Sequence, residues 1–555
     1  MKVVIIGGVA GGASAAARLR RLDEEAEIIV LERSGFVSYA NCGLPYYIGG
    51  TIEKRANLTL HTPESLRSRF DIDVRVATEA SAIDRAAKHV KARNLETGEE
   101  YTESYDYLIL SPGAKAVMPS IPGVEAARLF TLRTVEDTYA IADFVHESCP
   151  KSAAVIGGGF IGVEMADNLA DRGLSVALYQ RPSHVLPILD DDIACFVHNH
   201  MREHGVDLYL GASVEALLEE GETITVKSSA GERTFDMVIM AVGVTPENNL
   251  AADAGLELGV KGAIVVDEHM RTSDPAIFAV GDAVQVKNFV TAEDAHIPLA
   301  GPANKQGRIA ADNIAGRPSS FTGSLGSSVL KVFDLTVAAT GLNEAAAQRA
   351  GVAYDCLRLS PASHASYYPH SSPVHMKVLF DPATGRILGG QAVSSEGAEK
   401  RIDVIATAIH GNMTARDLAE LDLCYAPPYS SAKDPVNMAG FAICNLLDGL
   451  VEQVSWEEAL KRPEGTLLID TRGPWEIKMH GSAPGAAFFE LDKLRDHLDE
   501  LPRDKRLYVY CQTGVRSYMA CRILKQHGFD CVNVSGGHVF YAAWEADQAA
   551  RAQAQ

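Results

Sequence analysis

Val3-Val4-Ile5-Ile6 and Ile28 to Leu31 are unbroken apolar runs, separated by the turn Gly7 to Gly12 and by Ala13 to Arg21, which reads as a helix. Runs with no polar alternation predict strands covered on both faces, so this order predicts a βαβ unit that begins at Lys2 and ends at Glu32. The same pattern returns at Ala153 to Ile156, followed by Gly157 to Gly162. Further buried strands are expected at Leu108 to Leu110, Val238 to Met240 and Ile277 to Val280. After Leu450 the pattern restarts, with a helix opened by Ser455-Trp456-Glu457-Glu458 and strands at Leu467 to Arg472, Leu507 to Tyr510 and Val532 to Val534. The longest apolar stretch, Met438 to Val451, is interrupted by Gly440, Asn445, Asp448 and Gly449. It falls short of the ~20 residues of a membrane span and predicts a buried helix.

At 555 residues the chain exceeds one core, and roughly 150 residues per domain predicts three or four domains. A composition of 47% hydrophobic and 22% charged residues is that of a globular enzyme, and a net charge of −21 argues against a nucleic-acid scaffold. No nucleic-acid or membrane partner is expected. The N-terminus runs straight from Met1 into Gly7-Gly8 without the pattern of a secretory signal, so a cytoplasmic location is expected. Nine scattered cysteines do not form a secreted disulfide framework, and no CxxC pair suggests zinc, so no metal is expected. Cys149, Cys195, Cys356, Cys444 and Cys521 are expected to be core residues.

Both glycine turns have the chemistry of a pyrophosphate site. In the first, Gly7, Gly8, Ala10 and Gly11 bring the backbone close to a ligand at a helix N-terminus, and Glu32, followed by Arg33, stands where an acid binds a ribose hydroxyl. Val9 takes the place of the middle glycine. In the second, Gly157, Gly159 and Gly162 give a cleaner fingerprint, but Gln180 replaces the acid and Arg181 follows it. NADH is therefore expected, with NADPH tolerated. Between and after these units come Ser111-Pro112-Gly113, Gly243 and Gly281-Asp282. This order resembles the two-dinucleotide flavoprotein reductases, which implies FAD at the first unit, NAD(P)H at the second and a ribityl contact from Asp282.

Cys42, in Ser38-Tyr39-Ala40-Asn41-Cys42-Gly43-Leu44-Pro45-Tyr46-Tyr47, has no cysteine near it; the resemblance to flavin disulfide reductases implies a second cysteine a few residues on, and Tyr47 stands in its place. Its redox partner must come from outside, as oxygen, sulfane sulfur or a small thiol. This segment and Tyr425-Ala426-Pro427-Pro428-Tyr429-Ser430-Ser431-Ala432-Lys433-Asp434-Pro435 resemble the signatures of coenzyme A disulfide reductases across about residues 1–445. The resemblance implies a mixed disulfide between Cys42 and CoA, and a homodimer whose C-terminal domain lends Tyr425 and Tyr367 to the partner's site, with Tyr368 as an alternative to Tyr367. It also implies CoA contacts from Ser14, Arg18, Arg21, Ser38, Asn41 and Lys433. Arg18 and Arg21, three apart on one helix, can face one phosphate-bearing ligand.

Asp470-Thr471-Arg472, the segment from His480 to Ala486, Cys511-Gln512-Thr513-Gly514-Val515-Arg516 and Ser535-Gly536-Gly537 resemble, in that order, a single rhodanese domain over about 452–550. A cysteine on a short loop between strand and helix sits among backbone N–H groups, which favours thiolate and persulfide. Cys511 is the expected sulfur carrier, with Arg516 supplying charge at the rim. Cys531 is either a core residue or a second redox thiol.

The expected fold is α/β: a two-dinucleotide-binding flavoprotein reductase with FAD and NAD Rossmann-like domains, an α+β dimerisation domain and an α/β rhodanese domain. The boundaries are FAD-binding 1–148, NAD(P)-binding 149–270, FAD-binding 271–322, dimerisation 323–445, linker 446–453 and rhodanese 454–555. The expected activity is NAD(P)H-dependent reduction of CoA persulfide, polysulfide or CoA disulfide with release of hydrogen sulfide. Two alternatives stand beside it: an NADH oxidase or peroxidase cycling Cys42 through sulfenic acid, and a sulfur-trafficking or redox-sensing protein.

Overall fold

Val4, Ile6, Ile29 and Leu31 enter one hydrophobic core, while their strand neighbours Val3, Ile5, Ile28 and Val30 enter another. The unbroken apolar runs are thus explained by a sheet buried on both faces. The computed structural model describes residues 1–554 and divides into two units, 1–181 with 205–326 and 182–204 with 327–554.

The first unit holds two parallel sheets. One has the order Ile277–Ala279, Tyr107–Leu110, Lys2–Ile6, Glu27–Leu31, Asp73–Arg75. The other has the order Val206–Leu210, Ser175–Gln180, Ser152–Ile156, Met237–Met240, Leu129–Phe130. Pairing of Lys2 with Glu27 and Ser152 with Ser175 sets the two βαβ units in the same register. The first helix spans Ala10–Leu22, starting inside the expected turn, because glycines at 11 and 12 take helical dihedrals next to the carbonyl of Gly7. A Cβ on Gly12 would lie 1.8 Å from the Gly7 carbonyl oxygen, and one on Gly162 would lie 1.8 Å from that of Gly157. Only glycine permits either close approach.

The second unit contains an antiparallel sheet ordered Ser328–Val332, Leu335–Gly341, Ile387–Ser394, His375–Phe380, Asp355–Leu359. The helix Asp191–Glu203, from the middle of the chain, belongs to this unit. Its Asp192 pairs with Lys377, which is 1% exposed. The expected helix is Pro435–Leu447, buried along its first turns but with Phe441 exposed and 444–447 only partly covered. Gln453–Val454 then opens a parallel sheet with Cys531–Val534, Arg506–Tyr510, Thr466–Asp470 and Ala487–Phe488.

The segment between these two sheets is held rather than loose. Glu452 pairs with Arg506 and Lys525, and Gln453 donates to the Cys356 carbonyl at 2.8 Å. The last helix docks on Asp191–Glu203 through Asp547, 1% exposed, which meets His198 at 3.2 Å and Arg202 at 2.7 Å. All nine cysteines are free: Cys195, Cys356 and Cys521 are buried as expected, but Cys444 is only partly covered and Cys149 is exposed. Cys149 closes a helix in the left-handed conformation at φ 46°, which turns its side chain out of the core. Among the described residues no helix is long and apolar enough to cross a membrane.

Candidate active sites

Gly8 donates its N–H to Glu32 Oε2 at 2.8 Å, and Gly158 donates to Gln180 Oε1 at the same distance. Gln180 therefore occupies in the second unit the place of Glu32 in the first, and each is buried at its strand end. The helices that follow, Ala10–Leu22 and Phe160–Asp171, have no capping side chain and no acid in their first turns. Their first N–H groups are thus unclaimed by side chains and suit an anion. Both cradles fit a dinucleotide pyrophosphate. Gly7, Gly113, Gly157, Gly243 and Gly281 take positive φ, while Ala10 opens the first helix and Gly159 is the N-cap of the second. Ser111 lies against Gly11, and Gly281 is fixed by its N–H to Gln306. Asp282 pairs with Arg133 at 2.5 Å, whereas Arg33 is exposed and faces Glu79 at 3.9 Å. Arg181 is exposed after Gln180.

Cys42 is exposed in the single turn Asn41–Gly43. Tyr47, in place of a second cysteine, accepts from Arg55 and packs against Tyr139. Desolvation pushes the Cys42 thiol up, Glu164 and Asp282 add to the shift, and Arg133 opposes it. Glu164 was missed in the sequence, although it lies two residues after Gly162 in the second fingerprint. Burial raises its pKa to about 7, against a hydrogen bond from Tyr46.

Ser14, Arg18, Arg21 and Ser38 line one cavity of about 420 Å³, together with His61 and Arg308. The sequence brought out the first four. Arg308 reaches the cavity from the helix Ala300–Ile314, so only the tertiary packing reveals it. Arg18 is bound to Asp312 at 2.7 Å and Arg308 approaches the same carboxylate at 4.0 Å. Three guanidinium groups against one carboxylate leave a positive cavity suited to phosphates. Ser38 adopts φ 49°, an uncommon value for a non-glycine residue, at the entry to the Cys42 segment. Asn41 lies in the turn beside Cys42 and does not line this cavity.

In the second unit Tyr367 and Tyr425 are exposed and their hydroxyls meet at 3.1 Å. Tyr368 instead packs against His364. Buried Arg401 joins the two tyrosine segments, donating to the Ser363 carbonyl at 2.6 Å and to Asp434 at 3.0 Å. Ser430 adds 2.6 Å to Asp434, and its carbonyl accepts from the Ala365 N–H at 3.1 Å. Burial opposes ionisation of Asp434, but these donors and the Val436 N–H hold its carboxyl below the ordinary value. Lys433, next to it, is exposed.

Cys511 is fully buried at the end of the strand Arg506–Tyr510. Its sulfur accepts the Gly514 N–H at 3.1 Å and the Ser517 hydroxyl at 3.5 Å, donors that suit a thiolate or persulfide anion. The expected rim charge, Arg516, forms two bonds of 2.6 Å to Glu476. Arg472, absent from the sequence expectations as a site residue, is buried between Asp470 and Gln512. Cys531 is fully buried, with its sulfur 3.5 Å from the Cys521 carbonyl.

Residues 1–307 match the pyridine nucleotide-disulphide oxidoreductase family, 327–435 its dimerisation domain and 455–547 the rhodanese-like domain. The chain is 37% identical over 441 residues to the coenzyme A disulfide reductase of Staphylococcus aureus (strain JH9), covering 79% of this chain and 99% of that one. Reduced CoADR-RHD from Bacillus anthracis superposes with a TM-score of 0.96 at 50% identity, covering 98% of each chain. A NAD-dependent persulfide reductase from A. fulgidus superposes with a TM-score of 0.92 at 38% identity, covering 98% of this chain and all of that one. With two dinucleotide cradles, Cys42 in the first unit and Cys511 at the end of a strand of the C-terminal sheet, the chain belongs to the pyridine nucleotide-disulphide oxidoreductases of the coenzyme A disulfide reductase type, extended by a rhodanese domain.

Proposed function

We propose that the protein reduces CoA persulfide and related polysulfides or CoA disulfide at the expense of NAD(P)H, with Cys42 as the exchanging thiol. The observation that carries this reading is an unpaired Cys42 in the same unit as a positive, phosphate-sized cavity. Bound FAD would supply the electron pair drawn from NADH, with NADPH also accepted; Glu32, Asp282 and the first glycine turn would hold it. Gln180 would hold the nicotinamide coenzyme's ribose without the charge that repels a 2′-phosphate.

The Cys42 thiolate attacks the CoA-side sulfur of CoA–S–SH, forming Cys42–S–S–CoA and expelling HS⁻. Two electrons and a proton then return Cys42 to thiolate and release CoA–SH. The sum is NADH + H⁺ + CoA–S–SH → NAD⁺ + CoA–SH + H₂S. In a homodimer, Tyr425 of one copy protonates the leaving CoA sulfur at the Cys42 site of the other. The Tyr367 and Tyr425 hydroxyls meet at 3.1 Å, where either can donate, and with Tyr367 as donor the Tyr425 hydrogen is left for the substrate. Arg21, Arg18, Ser14 and Ser38 bind the nucleotide end of CoA, with Asn41 and Lys433 as further contacts. Cys511 captures or presents sulfane sulfur, with Arg516 at its rim, and a CoA or pantetheine arm carries it to Cys42.

Anaerobic NADH oxidation with CoA persulfide, CoA disulfide, polysulfide and peroxide, with sulfide measured, tests the reading. Turnover with the sulfur acceptors, a CoA adduct in the mass spectrum and loss of both in Cys42→Ser with FAD retained are expected. Turnover with peroxide alone, or an active Cys42→Ser, would overturn it.

A further inference from the structure

His200 and His204 stand one helical turn apart at the end of Asp191–Glu203, and Asp334 reaches them from the turn between Ser328–Val332 and Leu335–Gly341. Asp334 Oδ1 is 2.7 Å from His200 Nε2 and 3.8 Å from His204 Nε2. One ligand atom from each residue lies within 4.8 Å of the others. Two ligands bound to a tetrahedral ion at about 2.0–2.1 Å are roughly 3.3 Å apart, a value bracketed by these two distances.

The His204 ring is also prepared as a ligand. His204 Nδ1 lies 2.9 Å from the His200 carbonyl and donates to it, which puts the ring proton on Nδ1 and the lone pair on Nε2, toward Asp334. Its ring stacks on Phe333 at 4.3 Å and 12°, fixing the plane.

We propose that His200, His204 and Asp334 bind a divalent transition-metal ion of the zinc class. Asp334 is 75% exposed, which leaves the outer position for water. The ion ties the end of the Asp191–Glu203 helix to the β-hairpin turn. That helix also carries His198 and Arg202, the partners of Asp547, so the metal stiffens the platform on which the rhodanese domain docks.

The test is calorimetric titration of Zn²⁺ alone into FAD-loaded, chelator-treated full-length protein, beside His200→Ala/His204→Ala and the more conservative Asp334→Asn. The cysteines are common to all three proteins, so thiol-bound zinc cancels in the comparison. One additional equivalent of zinc per chain is expected in the wild type, absent in the double variant and weakened about tenfold or more in Asp334→Asn. Zinc should raise Tm in the wild type and not in the double variant. Equal stoichiometry and equal thermal response in wild type and variants would overturn the site. Should the double variant fail to retain FAD, His204→Ala alone, altered at a partly exposed ring, gives the same comparison.

Discussion

The carboxyl of Glu164 lies 3.3 Å from the Tyr46 hydroxyl, so the helix of the second nucleotide unit reaches the helix that directly follows Cys42. Burial lifts Glu164 to about 7 and Tyr46 to about 12, and the charge on Glu164 raises the Cys42 thiol. Cys42 thus has a neighbouring carboxyl whose pKa burial raises to about 7.

Ionised Glu164 disfavours the Cys42 thiolate, so its removal as a charge should favour it. In Glu164→Gln, alkylation of Cys42 at pH 7.5 should run several-fold faster, and any inflection of that rate near pH 7 should disappear. An unchanged rate–pH profile would detach Glu164 from the thiol.

Tyr425→Phe should lower kcat with CoA-linked acceptors by about a hundredfold, as expected for loss of a positioned proton donor. FAD content should not change. Tyr367→Phe should have a smaller effect, because its hydroxyl acts through Tyr425. Equal kinetics in wild type and Tyr425→Phe would remove the tyrosine from the chemistry.

Arg401 is 2% exposed and faces the equally buried Asp434. Arg401→Met should cost about 3–5 kcal/mol in denaturant unfolding because it leaves a buried carboxylate uncompensated. Arg401→Met/Asp434→Asn should recover part of that loss while leaving the tyrosine segments less well tied, which would appear as reduced kcat at restored stability.

Cys511→Ser should abolish thiosulfate:cyanide sulfur transfer and leave NADH-linked reduction of CoA disulfide intact. If polysulfide turnover is also unchanged, the two thiols work independently rather than in series.

Asp547 is held well below the ordinary carboxylate range: burial opposes its ionisation, and His198, Arg202 and Arg551 overcome that. Its stabilising effect is complete above the unfolded value near 4 and is lost as pH falls toward the folded one. Asp547→Asn should therefore lower stability at pH 7 by about 3 kcal/mol and flatten the acid limb of unfolding. Two separate thermal transitions in the variant would show that the docked rhodanese domain had been released.

Local pattern was enough to reveal the two βαβ units, the lone Cys42, the cysteine loop at 511–516 and the helix that became Pro435–Leu447. Each is written in contiguous residues, as an apolar run with its turn or a thiol with its glycine. Pattern misled at Cys149, where apolar character suggested the core but a left-handed helix end turned the residue outward. It was silent on Glu164, Arg308, Arg401 and the grouping of His200 with Asp334, since none of these is marked by its sequence neighbours. Those relationships come from packing between remote segments: Arg401 meets Asp434, Glu164 meets Tyr46, and Asp334 meets His200 only because the fold brings distant parts of the chain together. The residue types therefore set the available chemistry, while distances between remote segments set which groups act on one another.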